Sequence, residues 1–176
     1  MKQFTSASCG QSCLPVDRYM AHGEENDMMG TLNAAQMNQL MSSEMIGRIG
    51  CHAQGRTYVV PVTYVYQDGV IYGHTRDGLK VQMMREDPAV CFEVDHLDNL
   101  SNWQSVICQG RFEELDGEAA AQAMQRLLDR LMPVMVSESS RPHGSTIPAV
   151  HPGTAAVAAV VYGIQVSEMT GRFEKT

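Results

Sequence analysis

The stretch from Ile46 to Lys80, IGRIGCHAQGRTYVVPVTYVYQDGVIYGHTRDGLK, leaves few folds open to the chain. It alternates runs of β-branched and aromatic residues with tight-turn chemistry. Ile46 to Ala53 reads as a first strand, and Gln54-Gly55 as a hairpin turn, because glycine accepts the positive φ that such a turn needs. Thr57 to Tyr66 is a second strand, Gln67-Asp68-Gly69 a second turn, and Val70 to Thr75 a third strand.

Pro61 sits inside the second of these strands. Proline cannot donate to a ladder, so this position belongs to an edge, a bulge or a strand end. An edge strand is one reading, and a barrel opening whose exposed backbone faces a ligand is the other.

The remaining segments surround that meander. Residues 1–30 form a polar, glycine-containing N-terminal extension, and residues 31–176 are read as a single domain. A first helix is predicted from Thr31 to Ser43, with Thr31 as N-cap and Leu32, Ala35, Met37, Leu40 and Met41 at helical spacing. Leu79 to Arg85 is a short helix broken by Glu86-Asp87-Pro88, and Ala89 to Val94 an apolar strand. Asp95 to Asn102, DHLDNLSN, reads as a solvated loop, and its aspartates and histidine need no metal.

Trp103 to Phe112 is predicted as a strand with Val106, Cys108, Gly110 and Phe112 on one face. Gly110 permits a bend at a barrel corner. Gly117 to Met132 is the clearest helix, capped by Asp116 and ended by Pro133, with Ala120, Ala123, Met124, Leu127, Leu128 and Leu131 on one apolar face. Val134 to Ala155 is a long connection rich in proline and glycine, a candidate pocket wall. Ala156 to Val166 is the last strand.

The formal net charge of -7 over 176 residues offers no basic field for nucleic acid. No apolar run reaches membrane-spanning length and the N-terminus has no apolar h-region, so a cytoplasmic chain is expected. The five cysteines, Cys9, Cys13, Cys51, Cys91 and Cys108, are read as reduced thiols. The 13 methionines follow helical stripes or single core slots, the ordinary gap-filling role. No GxSxG elbow, HExxH or GxxxxGK[ST] loop occurs, so nucleophilic and metal hydrolases find no support.

Five segments taken in order, TYVVPVTYVY, VIYGHTRDGLK, EDPAVCFEVD, WQSVICQGRFEEL and VYGIQVSEMTGRFEK, resemble the pyridoxamine 5'-phosphate oxidase-like split-barrel flavoproteins. The resemblance spans roughly Leu32 to Lys175 and is nearest to the nitroimidazole-resistance branch, whose TGR ending is similar to Thr170-Gly171-Arg172. It implies a mainly β fold, a six-stranded-type split barrel with flanking helices, and FMN as cofactor at the interface of a homodimer.

Within that resemblance, His74, Thr75, Arg76 and Lys80 converge on the flavin phosphate if Asp77-Gly78 turns the chain back. A phosphate with nearly two negative charges needs cationic and hydroxyl donors at one end of its pocket. The family commonly has an arginine immediately before the lysine, and this chain has Leu79. Val60, Pro61, Val62 and Thr63 are expected along the isoalloxazine, with Trp103 and Ser105 reaching it from the second subunit. His74 is also the candidate to orient a substrate.

These expectations describe an FMN-dependent oxidoreductase taking electrons from a nicotinamide or another donor to a small acceptor such as a nitroimidazole or other nitroaromatic. The alternatives are a protein on the same barrel that stores or senses FMN or haem, and a purely structural dimer. Pyridoxamine-phosphate oxidation itself is not expected, because SEMTGRFEKT lacks the tryptophan-containing, arginine-rich ending of the named oxidase.

Overall fold

The computed structural model describes residues 29–134 and 159–176. Cys9, Cys13 and nearly all of the connection after Val134 lie outside them, as does the start of the last expected strand.

Among the described residues, seven strands and three α-helices follow in the order β1 (Met29–Thr31), α1 (Ala34–Ser43), β2 (Ile46–Ala53), β3 (Arg56–Gln67), β4 (Val70–Arg76), α2 (Leu79–Glu86), β5 (Ala89–Asn99), β6 (Asn102–Leu115), α3 (Gly117–Leu131) and β7 (Ala159–Glu174), with a 3-10 turn at Met132–Val134 after α3. The two hairpin turns form as their sequences dictate. Gln54 and Gly55 have φ of 51° and 74°, and Asp68 and Gly69 have 53° and 80°, the paired positive values of a turn whose twist matches its strands.

Six of the strands close on themselves. β4, β3, β2, β5 and β6 neighbour one another in that order, and β7 pairs with both β4 and β6 to complete the ring. β1 adds to the far end of β7, from Met29 opposite Glu174 to Thr31 opposite Arg172. The fold is therefore mainly β, a split barrel with flanking helices.

Period-two alternation fills the interior with Ile49, Tyr64, Ile71, Phe92, Val106 and Ile164, all buried. Tyr64 and Phe92 meet edge to face with centroids 4.9 Å apart. α1 contributes Leu40 and Met41 to this core, α2 contributes Val81, Met83 and Met84, and α3 seats Leu127 and Leu131 on Val65. Tyr64 has its hydroxyl satisfied inside the core, donating to the Met41 carbonyl at 2.8 Å.

Three expectations need correction. The cap of α1 is Asn33, not Thr31: the Asn33 side chain accepts from the Gln36 N–H at 3.0 Å and Gln36 returns the bond at 2.9 Å, while Thr31 is used by β1. DHLDNLSN is not a loop, because β5 runs on to Asn99 and only Leu100 and Ser101 separate it from β6. Its polar side chains are held on the sheet surface, Asp95 by Arg48 and His96 by Glu44 at 2.8 Å. The last strand continues beyond Val166 to Glu174, because β6 on one side and β1 on the other supply partners for SEMTGRFE.

At Gly110, where the sequence predicts a bend, the ladder to β7 is irregular. The β6–β7 register shifts between Gln109 and Gly110, leaving Ser167 as the extra residue, and its hydroxyl donates to the Gln109 carbonyl at 3.1 Å. A side chain at Gly110 would press within 2.7 Å of Ile164 and 2.8 Å of the Gln165 carbonyl.

Candidate functional site

The barrel is split between β3 and β4. Their ladder holds only from Gln67 opposite Val70 to Tyr64 opposite Gly73. Beyond that rung, residues 56–63 of β3 stay with β2, and His74 to Arg76 stay with β7. Thr63 and His74 thus stand at the start of an opening between strands that are neighbours elsewhere.

Pro61 lies on the open side of that fork. The Tyr64 N–H donates to the Met45 carbonyl at 3.2 Å, on the β2 side. The register from Ile46–Thr63 to Ala53–Arg56 has no shift, so strict alternation turns the backbone of residues 59, 61 and 63 away from β2. No described strand pairs with them there, and the missing N–H of Pro61 costs no ladder bond. Val62 is buried and Val60 half-buried on the barrel side, whereas Pro61 and Thr63 are exposed on the outside.

α2 starts immediately after β4, with Gly78 as its extended N-cap residue. Arg76 and Leu79 are exposed at this corner, while His74, Thr75 and Lys80 are half-buried. The Thr75 hydroxyl donates to the Arg76 carbonyl at 3.2 Å. Burial holds the Lys80 ammonium below its usual pKa, partly offset by the nearby Cys51 thiol. Among the described residues no carboxylate forms an ion pair with Lys80. Such a desolvated amine is stabilised in its charged form by an anion brought against it.

Arg85, at the other end of α2, is committed elsewhere. It donates to Asp77 at 2.7 Å and grips both carboxylate oxygens of Glu114 on β6. These bonds raise the Arg85 pKa, Glu114 first and Asp77 second, and hold the Glu114 carboxyl below its usual range.

Across the sheet, Ser105 pairs with Asp95 of β5, which the β2–β5 register puts in line with Ile46 and Thr63, about three strand spacings or roughly 15 Å from the opening. Trp103 and Ser105 also pair with Glu174 and Arg172 near the end of β7, whereas His74 and Arg76 pair with Val161 and Ala159 at its start. The Trp103 indole N–H is tied to the Glu174 carboxylate at 2.9 Å.

They do share the outer surface of the sheet with Pro61 and Thr63, since Val106, Cys108 and Phe112 occupy the inward positions of β6. On the far side of Pro61 from Trp103, the same surface holds a cavity of about 690 Å³ bordered by Arg48, Gly50, Val59, Cys91, Glu93 and Gln109. Ile46, Val59 and Ile107 are exposed apolar side chains on the same four strands.

Residues 33–173 match the family described as pyridoxamine 5'-phosphate oxidase. The chain belongs to that family. It is 27% identical over 131 residues to an uncharacterized protein of Rhizobium meliloti (strain 1021), which covers 72% of this chain and 83% of that one. Among solved structures it is similar to an FAD-binding protein from Mesorhizobium loti, at 26% identity and a TM-score of 0.63, covering 84% of this chain and 99% of that one. A candidate 5-nitroimidazole antibiotic resistance protein from Bacteroides thetaiotaomicron shares the fold, with a TM-score of 0.59 at 18% identity, covering 86% of this chain and 94% of that one.

In this family member, the sequence singles out Lys80 and the β3 edge, and gives no sign of the contacts of Gly73, Arg85 and Glu114. Gly73 is distinguished only by what packs on it across the barrel, and Glu114 is 29 residues from Arg85.

Proposed function

We propose that this member of the pyridoxamine 5'-phosphate oxidase family binds a flavin nucleotide, FMN, at the opening between β3 and β4, and that it is an oxidoreductase reducing a small acceptor. The observation that carries the reading is Lys80, half-buried near Cys51 of β2 with no carboxylate partner among the described residues. A phosphate monoester meets that cation with the complementary charge.

The donor set fits the group. Lys80 holds the phosphate as a point charge, with Thr75, on the inward face of β4 that carries Ile71 and Gly73, as the neutral donor, while Arg76 leaves the end of β4 on the opposite, exposed face. The open backbone of residues 59, 61 and 63 offers donors and acceptors to the polar edge of an isoalloxazine, and Val60 to Thr63 run along it. The FAD-binding relative from Mesorhizobium loti supports a flavin. When bound, the flavin supplies the electron-transfer chemistry that no constellation of side chains here provides.

The second subunit enters through the outer sheet surface. We place a homodimer there, because Trp103 and Ser105 share that surface with Pro61 and Thr63 but are separated from them by β5 and β2 within one chain. The apolar Ile46, Val59 and Ile107 and the cavity beside them give that surface an interface character. Its partner copy brings Trp103 and Ser105 to the flavin. The free thiols of Cys51, Cys91 and Cys108 fit a reducing, cytoplasmic compartment.

His74, at the fork, is the residue placed to orient the acceptor. The resemblance of Thr170-Gly171-Arg172 to the nitroimidazole-resistance branch points to a nitroimidazole or related nitroaromatic, with a nicotinamide as donor. Visible spectroscopy of the purified protein is the first test: bands near ~370 and ~450 nm report oxidised flavin, and a Soret band reports haem instead. Anaerobic stopped-flow then follows bleaching by NADH or NADPH and recovery on adding a nitroimidazole. A flavin-loaded, dithionite-reduced protein that passes no electrons to nitroimidazoles, quinones or oxygen is a storage or sensing protein.

A further inference from the structure

Asp77 places a carboxylate three residues from Lys80 and two from Thr75, in the turn that joins β4 to α2. An anion at that position repels any phosphate bound at Lys80. The same turn is where sequence reasoning found one cation fewer than the family pattern, with exposed Leu79 ahead of the lysine.

Arg85 answers both problems from the opposite end of α2. Its Nη1 donates to Asp77 at 2.7 Å, while Nε and Nη2 hold the two oxygens of Glu114, the Nη2 bond being 3.0 Å. The guanidinium therefore spans the loop, the helix and β6 with one planar fork. All three side chains are more than a third exposed, so these ion pairs contribute little to global stability. Their effect is local, on the charge and direction of the Asp77 carboxylate.

We propose that Arg85 is a positioning residue for the phosphate site: it neutralises Asp77 and turns its carboxylate away from the bound phosphate, so that Lys80 acts on the anion unopposed. The inference rests on the flavin-phosphate reading. It assigns Arg85 no contact with the cofactor.

The experiment compares FMN with riboflavin, which lacks the phosphate, by fluorescence titration of the full chain. Arg85→Ala is expected to weaken FMN on the order of fivefold at low salt, as for a unit negative charge roughly 8 Å from a phosphate dianion in water, and to leave riboflavin unchanged. The loss shrinks as salt rises. Adding Asp77→Asn to Arg85→Ala removes the repelling charge and restores FMN affinity. Equal losses for FMN and riboflavin, or no recovery in the double variant, overturn the proposal.

Should Arg85→Ala not fold, Asp77→Asn alone decides. FMN affinity then stays level or rises, and a fall overturns the proposal. Lys80→Ala measured alongside separates the two levels: if it leaves the FMN-to-riboflavin ratio unchanged, the phosphate reading fails and takes this inference with it. If Lys80→Ala lowers the ratio and Arg85→Ala does not, only the role of Arg85 is lost.

Discussion

Tyr162 of β7 lies across Gly73 of β4, with its ring and hydroxyl in the space a side chain at that position would fill. Gly73 is also the last β4 residue paired with β3, opposite Tyr64. One glycine thus carries two buried tyrosines on its neighbouring strands and marks where the barrel opens. Substituting Gly73→Ala should displace Tyr162 and cost about 1–3 kcal/mol of stability, the usual range for overpacking a filled core. Urea denaturation measures it, and a variant as stable as the parent would show that the ring moves aside freely.

The Tyr162 hydroxyl itself is buried and makes no hydrogen bond among the described residues. Burial pushes its pKa upward, so it stays a neutral phenol. Removing an unsatisfied polar atom from a core relieves its desolvation cost. Tyr162→Phe should therefore raise stability by about 1 kcal/mol, and a loss of similar size would reveal a partner for the hydroxyl.

Lys80→Ala should weaken FMN binding by about 1–3 kcal/mol, or roughly 5- to 150-fold, with riboflavin far less affected.

The pH dependence of that affinity has a definite sign. Burial lowers the Lys80 pKa in the free protein, and a phosphate dianion raises it again on binding. Binding therefore takes up a proton between the two pKa values, and FMN affinity falls as pH rises through that alkaline window, by up to about tenfold per pH unit. Riboflavin shows no such fall, and Lys80→Arg removes it from FMN. An FMN affinity flat to high pH would exclude Lys80 as the titrating group.

For the proposed dimer, light scattering should return about twice the 19.4 kDa chain mass. Val59 is 59% exposed on the outer surface of β3. A carboxylate placed there by Val59→Asp meets an apolar interface and should yield monomers that lose flavin together with the partner's Trp103 and Ser105. A monomeric parent holding one flavin per chain would refute the shared site.

His96 bridges Glu44 at 2.8 Å and Asp98 at 3.4 Å. The bond to Glu44 first, then the charge of Asp98, raises its pKa above the usual 6.5. Such a group adds stability that is fully present below its unfolded pKa and is lost as pH rises through the folded one. His96→Gln should flatten the thermal-stability profile across the neutral range while leaving the alkaline limb unchanged.

Local chemistry determined the meander of β2, β3 and β4, both positive-φ turns, the apolar face of α3 and the break at Pro133, because each depends on residues a few positions apart. The resemblance supplied the split barrel. Strand ends escaped for a physical reason: Asp95 to Asn99 and Ser167 to Glu174 are polar, and they extend only because β6, β1 and the ion pairs of Arg48 and Glu44 supply partners from far along the chain. Lys80 was legible as a cation beside a turn, but its burial without a counter-ion depends on how α2 packs on β2. Pro61 announced an edge in the sequence, and only the short β3–β4 ladder decided which side of that edge faces the opening.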